Sequence, residues 1–189
     1  RGIWLVLVEV VIVNFGWFFN IHFGAIPLQV IWSLGISMLF LAAFIHLPFK
    51  SILWCSLLII FGHNLLDSIH FKDNFLWSIL HEQNFFTILD GRRLFIAYPI
   101  IPWLGVMSLG YYIGSFYRKT MEPIKRQKLF TLIGTVAIVL FLVVRGINSY
   151  GNPSQWERYG TILQTLFSFF NPSKYPPSLT FLLMTLGIT

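Results

Sequence analysis

Charged side chains are scarce in this sequence: Asp, Glu, Lys and Arg together make up 11% of its 189 residues. A soluble domain of this size carries about 25%. So few charges cannot cover a surface that faces water, and 56% of the residues are hydrophobic. These proportions disfavour a soluble domain and favour a protein whose solvent is lipid.

Several sequence patterns are also missing. A single cysteine, Cys55, lies in an apolar run, so an internal disulfide is excluded and the residue is interpreted as packing. The sequence has no CxxC, HExxH, P-loop or GxGxxG-plus-helix motif, and no metal site is predicted. No inverted repeat is evident, which weakens a secondary-transporter interpretation. The net charge of +6 does not indicate nucleic-acid binding, because five of the 13 basic residues fall in one short loop and its edges rather than on a soluble face.

Long apolar segments dominate what remains. A membrane-spanning helix needs about 20 mostly apolar residues to cross a hydrocarbon core of about 30 Å. The sequence therefore predicts an all-α fold, a polytopic transmembrane bundle with about five complete spans and a truncated sixth. The predicted spans are 3–19, 27–46, 50–68, 95–117, 129–148 and 177 to the end. We treat residues 1–189 as one domain and expect it to be incomplete at both ends.

Lysine and arginine positions predict the orientation of these spans. Residues 118–128 hold five basic residues and one acid, so the positive-inside rule predicts that this loop is cytoplasmic. The loops 20–26, 69–94 and 149–176 then lie on the outer side. The last of them contains an apolar stretch, 162–170, which predicts a short amphipathic or re-entrant helix.

Ionisable residues inside predicted spans are candidates for function, because a charge in lipid is costly. Glu9 and Asn14 lie in the first span and Arg145 near the end of the fifth. Alternatively, Glu9 pairs with a neighbouring helix and only fixes packing, and Arg145 extends to the outer headgroups.

The third span ends with a histidine and a carboxylate at helical spacing. His63 and Asp67 are four residues apart, so they share one face of a helix, and the carboxylate could orient the imidazole. This predicts a pocket-lining pair at the outer edge of the bundle. The alternative is a polar helix end at headgroup level, capped by Asp67.

Further polar groups open the fourth and sixth spans on the same side. Tyrosine, lysine and arginine there predict a pocket with cationic and hydroxyl groups, although interfacial aromatic residues and proline helix starts would look alike. The predicted pocket residues are His63, Asn64, Asp67, Arg93, Tyr98, Lys174 and Tyr175.

Taken in order, four motifs resemble a bacterial membrane family, the heparan-alpha-glucosaminide N-acetyltransferase catalytic-domain-like proteins. They are RGIWLV at 1–6, GHNLLD at 62–67, YPIIPWLGVM at 98–107 and KYPPSL at 174–179. The resemblance implies a transmembrane acyltransferase in the bacterial inner membrane that transfers an acetyl group from acetyl-CoA to an amino sugar or another glycan. Since acetyl-CoA is cytoplasmic, the acetyl group or its carrier must pass through the bundle.

The resemblance also implies a catalytic histidine, which is expected in a segment upstream of Arg1. In a competing register the first helix matches the eukaryotic enzyme, and His22 then falls near the catalytic position. Two other functions remain open: a transporter or flippase whose polar residues line a path, and a membrane scaffold without catalysis.

Overall fold

The computed structural model describes residues 1–88, 91–118 and 121–189, which are mostly helical. The chain forms two compact units, Arg1–Tyr112 and Ile113–Thr189. Each unit is described by itself below.

Helices account for most of both units. The first unit contains α1 (Gly2–Leu7), a π-helical turn (Val8–Val13), α2 (Asn14–Phe18), α3 (Val30–Phe44), α4 (Phe49–Gly62), α5 (Phe75–Leu80) and most of α6 (Ile100–Gly114). The second unit contains α7 (Pro123–Ile147), α8 (Ile162–Phe169) and α9 (Leu179–Ile188). A 3₁₀ turn, His63–Leu66, continues α4, and another, Ser115–Tyr117, follows α6. The segments α1, the π turn and α2 form one continuous helix, Gly2–Phe18.

Every predicted span coincides with a helix, although the starting residues shift. Helix α6 begins at Ile100 rather than 95, and α7 begins at Pro123 rather than 129. Three cations of the predicted cytoplasmic loop 118–128 therefore lie in the first turns of α7: Lys125, Arg126 and Lys128. Lys119 lies outside the described residues.

Two of the helices are long and apolar enough to cross a membrane. They are Phe49–Leu66 and Pro123–Ile147, with mean hydropathies of 1.5 and 2.4. Only 28% of the apolar stretch in the first helix and 11% of that in the second are buried within the protein, whereas a helix from a soluble core would be mostly buried. Three apolar helices are shorter, Gly2–Phe18, Val30–Phe44 and Leu179–Ile188. The structure thus supports two candidate spans among the described residues.

A small sheet corrects the prediction of an all-α fold. Its strands are β1 (Ala25–Leu28), β2 (Asn84–Thr87) and β3 (Arg93–Ile96), in the order β1-β3-β2. Strand β3 pairs parallel to β1, with Ala25 opposite Arg93, and antiparallel to β2, with Asn84 opposite Ile96. The strands lie in or beside the predicted loops 20–26 and 69–94. Four-residue strands are too short for periodicity to reveal, and the parallel partner comes from distant sequence.

The core of the first unit forms around this sheet. Leu28, Leu94 and Ile96 from the strands pack with Trp32 of α3 and Ile100 of α6. The sheet therefore fixes where α3 and α6 begin.

Helix α6 begins inside the core. Pro99 and Pro102 at its start are fully buried. The hydroxyl of Ser33 donates to the carbonyl of Pro99 at 3.4 Å, and the indole N–H of Trp32 donates to the carbonyl of Tyr98 at 3.2 Å. Helix α3 thus holds the first turn of α6 through side-chain hydrogen bonds.

Glycine allows two close helix contacts. A Cβ on Gly35 would lie 2.7 Å from the carbonyl oxygen of Gly2, where α1 and α3 meet. A Cβ on Gly134 would lie 2.7 Å from the carbonyl oxygen of Gly187, where α7 and α9 meet. Small residues at such contacts are typical of helix packing in membranes, where close backbone approach supplies the attraction.

Candidate functional site

The end of helix α4 presents three of the predicted pocket residues. After Gly62 the backbone tightens into the 3₁₀ turn that carries His63 and Asn64, both buried. The Nδ1 atom of His63 lies 2.9 Å from the carbonyl oxygen of Ile60 and 3.2 Å from that of Ile59. A carbonyl only accepts hydrogen bonds, so Nδ1 carries the proton and a neutral His63 ring has its acceptor at Nε2.

Asp67 binds a different histidine from the one predicted. Its Oδ1 lies 2.9 Å from Nε2 of His81, and its Oδ2 accepts a 2.7 Å hydrogen bond from the amide of Asn64. The expected pairing of His63 with Asp67 is wrong because the 3₁₀ turn has three residues per turn. Residues four apart then no longer share a face.

His81 combines burial with an unused nitrogen. The residue is 2% exposed, and its Nδ1 has no hydrogen-bond partner within the described part of the chain. The carboxylate of Asp67 accepts, so Nε2 of His81 donates and the neutral ring keeps its lone pair at Nδ1. Buried polar atoms in native proteins are normally bonded, so an orphan at this position requires an explanation.

The two imidazoles lie close together. The ring centroids of His63 and His81 are 6.4 Å apart, and the rings meet edge to face at 67°. Trp77 covers the other side, with its ring centroid 5.5 Å from that of His81. Asp67, which is partly buried, and the two buried histidines therefore form a compact group, which we call the His81 cluster.

Helix α5 and its flanking residues hold His81 in place. The side chain of Asn74 caps α5 by accepting from the backbone N–H of Trp77 at 3.0 Å. The indole of Trp77 donates to the carbonyl of Ile69 at 3.1 Å, and Gln83 donates to the carbonyl of Ala97 at 3.0 Å, beyond the end of β3. The sequence analysis did not include His81 among the predicted pocket residues. A histidine four residues after Trp77 in an aromatic segment is a pattern that could have indicated it.

The remaining predicted pocket residues are divided between the two units. Arg93 is exposed at the start of β3, and Tyr98 is 7% exposed just after that strand. Lys174 and Tyr175 belong to the second unit, where the Lys174 ammonium lies 5.1 Å from the centroid of the Tyr175 ring. Their grouping with His63 stays a prediction.

His22, the residue of the competing register, is exposed in the turn between α2 and β1, and its backbone N–H donates to the side chain of Asn20 at 2.8 Å. Its catalytic role stays a hypothesis.

Glu9 caps another helix. It lies in the π turn, is 1% exposed, and its Oε2 accepts from the backbone N–H groups of Ile31 at 3.1 Å and Trp32 at 3.2 Å. These donors belong to the first turn of α3, where helical N–H groups have no internal acceptor. The other oxygen, Oε1, is buried without a partner among the described residues, as is the Asn14 amide nitrogen.

Arg145 is a buried charged residue of the second unit. It is 3% exposed, and its guanidinium donates to the carbonyls of Phe169 at 2.9 Å, Ser168 at 3.0 Å and Ser154 at 3.1 Å. A weaker contact reaches the carbonyl of Asn171 at 3.4 Å. The structure contradicts the alternative in which Arg145 extends to the headgroups, since the side chain binds the end of α8 and the preceding loop.

Comparison with known proteins adds family evidence to this geometry. The family model described as "Heparan-alpha-glucosaminide N-acetyltransferase, catalytic" matches residues 1–146 of the 189. Neither the curated proteins nor the solved structures include a match. The matched residues contain the whole first unit with its His81 cluster, and α7 almost to its end. The chain belongs to the heparan-alpha-glucosaminide N-acetyltransferase catalytic family.

Proposed function

We propose that this chain is a membrane acetyltransferase that moves the acetyl group of acetyl-CoA to an amine or hydroxyl of a glycan, with an amino sugar as the preferred acceptor. Family membership supports the acyltransferase class. Within the structure, the pairing of Asp67 with the buried His81 carries the proposal, because it leaves one imidazole nitrogen without a partner among the described residues.

The His81 cluster supplies what acyl transfer requires from the protein. A neutral amine attacks the thioester carbonyl carbon, a C–N bond forms, and the C–S bond breaks to release CoA. His81 accepts the amine proton at Nδ1 and passes it to the departing sulfur, so that protons balance. Asp67 fixes the tautomer by accepting from Nε2 and stabilises the imidazolium while it exists.

The acetyl donor is anionic, which gives the remaining predicted residues a role. Arg93 and Lys174 provide cationic side chains that suit the phosphates of CoA, and Tyr98 and Tyr175 provide hydroxyl groups. Their grouping with His63, Asn64 and Asp67 remains a prediction from the sequence.

The proposed topology is five complete spans and a sixth partial one in a bacterial inner membrane, with residues 118–128 on the cytoplasmic side. The hydropathy of the two candidate spans and the three shorter apolar helices supports it. Because the His81 cluster then faces the outer side and acetyl-CoA is cytoplasmic, the acetyl group must cross the bundle while still bound to CoA, before the acceptor amine attacks the thioester.

The test uses the full protein reconstituted in lipid vesicles with radiolabelled acetyl-CoA and a panel of amino sugars. Wild type should transfer label, and Asp67→Asn should lose most transfer, since an amide can donate to Nε2 and stabilise the wrong tautomer. His70→Gln is the matched control: this histidine pairs with Glu82, and its side chain is 73% exposed. If wild type neither transfers acetyl nor binds CoA, the proposal is wrong.

A transporter is the second candidate, favoured by the buried carboxylate of Glu9 in a π turn. Ionisable groups at membrane depth mark transport paths, and π turns often occur at functional sites. This function predicts flux of a sugar across proteoliposomes without acetyl transfer.

A further inference from the structure

Helix α8 carries an apolar stripe that faces away from the protein. Its members are 46–82% exposed, and their spacing places them on one side of the helix. We call them the α8 stripe: Ile162, Leu163, Leu166, Phe167 and Phe170. The stripe lies beyond the residues that match the family model.

The opposite side of α8 is bonded to its own unit, so the outward orientation of the stripe is fixed. The hydroxyl of Thr165 accepts from the backbone N–H of Tyr159 at 3.0 Å, and that of Ser168 accepts from the N–H of Glu157 at 3.0 Å. The ring of Phe169 packs against Phe141 of α7. Rotation of the helix to bury the stripe would break these contacts.

Arg145 attaches the end of α8 to the end of α7. It lies in the last turn of α7 and binds the carbonyls of Ser168 and Phe169, so the end of α8 is attached to the end of a candidate spanning helix. The apolar side chains of α7 leading to this point are also exposed, with Val139 at 52% and Ile147 at 65%. The stripe is therefore attached to the end of a helix that exposes apolar side chains and has the hydropathy of a membrane span.

The residues beside the stripe match the boundary between hydrocarbon and water. Tyr159 is 53% exposed, and Trp156 donates its indole N–H to the carbonyl of Arg145 at 2.8 Å. Both aromatic types concentrate at membrane interfaces. Gln164 and Asn171 line an open cleft of about 560 Å³ along the helix. Polar groups thus border the stripe where headgroups would lie.

We propose that α8 lies in the plane of the bilayer interface, with its stripe among the acyl chains of the lipids around α7. This inference rests on the membrane location in the proposed function, but not on acetyl transfer. The eight residues of α8 span only about 12 Å at 1.5 Å per residue, too short to enter a core of about 30 Å and return. A short helix with one apolar side and a bonded polar side is typical of interfacial helices.

The test measures the depth of nitroxide labels on the full protein in lipid vesicles. Single cysteines replace Leu163, Phe167, Gln164 or Val139 in a Cys55→Ser background. For each label, collisions with oxygen, which concentrates in lipid, are compared with collisions with a water-soluble nickel chelate. Gln164 is the matched control, because it is adjacent in sequence but lies off the stripe.

The proposal predicts an oxygen-to-nickel ratio at positions 163 and 167 several-fold above that at 164 and below that at 139, because Val139 lies about 12 Å from the end of α7 and therefore deeper in the hydrocarbon. Equal and water-like ratios at 163, 164 and 167 would place the stripe in water and overturn the inference. Equal and lipid-like ratios would place the whole helix in the hydrocarbon and overturn it as well. Labels at 163 and 167 that neither reagent reaches would also overturn it, since the stripe would then face protein, such as a second copy of the chain. A water-like ratio at 139 would instead refute the membrane location itself, whatever the acetyl-transfer assay shows.

Discussion

Arg145 in the second unit and His81 in the first are both almost fully buried polar side chains, yet they use their nitrogens differently. All three guanidinium nitrogens of Arg145 donate to backbone carbonyls. His81 has one nitrogen bonded to Asp67 and one without a partner among the described residues.

The difference separates a structural group from a reactive one. A side chain whose hydrogen-bonding capacity is fully used holds segments together and has nothing to offer a substrate. An oriented side chain with one unused atom has the capacity to accept a proton, at the cost of a buried atom left unsatisfied. The comparison predicts that variants of His81 lose activity and that variants of Arg145 lose stability.

His81→Gln should have the largest effect. The glutamine amide can still donate to Asp67 but cannot accept a proton in turn, so kcat for acetyl transfer should fall by about 10²–10⁴-fold. The thermal unfolding midpoint in detergent, measured on the same sample, should stay near that of wild type. An unchanged kcat with a lower midpoint would make His81 structural like Arg145.

Arg145→Ala should remove on the order of 3 kcal/mol from the free energy of unfolding, because buried carbonyls lose a charged donor. Chemical denaturation of the purified protein measures this loss, while the rate per folded molecule stays constant. Arg158→Ala is the control: this arginine is exposed, and its replacement should change stability by less than about 0.5 kcal/mol. A drop in the rate per folded molecule would contradict the assignment of Arg145 as a structural residue.

Gly134→Leu gives the loss in free energy of unfolding caused by a packing defect in the same unit, with which the loss for Arg145→Ala can be compared. The added side chain meets the backbone of Gly187, so α7 and α9 must separate, and the expected loss of stability is about 1–3 kcal/mol. Gly146→Ala is matched to it, since a Cβ on Gly146 meets nothing within 4 Å. Gly146 also lies within α7, so that change should be neutral or stabilising. Equal effects at both glycines would contradict the close contact.

Glu9→Gln sharpens the comparison, because Glu9 is intermediate between the two cases. Its Oε2 caps α3 while its Oε1 lacks a partner within the described ranges. Glutamine retains one capping oxygen, so stability should change by less than about 1 kcal/mol. Acetyl transfer should be unaffected, and a large loss of rate without a loss of stability would show that the carboxylate serves chemistry or transport.

The sequence predicted the helices because apolar length is a local property. Each predicted span contains a helix, and the amphipathic segment after the fifth span is helix α8. The strands could not be predicted in the same way. Strand β1 is parallel to β3, whose residues lie far along the chain, and no local pattern encodes that pairing.

The candidate site was predicted in part. Asp67 belongs to the His81 cluster, but its partner lies 14 residues further on and reaches it only through the fold of the intervening segment. Spacing rules for a regular helix pointed to His63 instead, because they could not foresee the 3₁₀ turn. The two interpretations of Arg145 stayed open for a related reason: its carbonyl partners come from residues 154–171, which follow it by up to 26 positions.

The buried start of α6 shows a way to begin a helix where water is absent. A helix start leaves four backbone N–H groups without internal acceptors, and at the start of α3 Glu9 supplies an oxygen for two of them. At the start of α6, Pro99 and Pro102 occupy two of those four positions and have no N–H to satisfy. Helix α3 thus gains an acceptor for its free N–H groups, whereas α6 has two fewer N–H groups to satisfy. Helix α6 can therefore begin in an apolar environment without a charged cap. Replacing either proline by alanine would add a buried N–H group at a position where the helix itself supplies no acceptor.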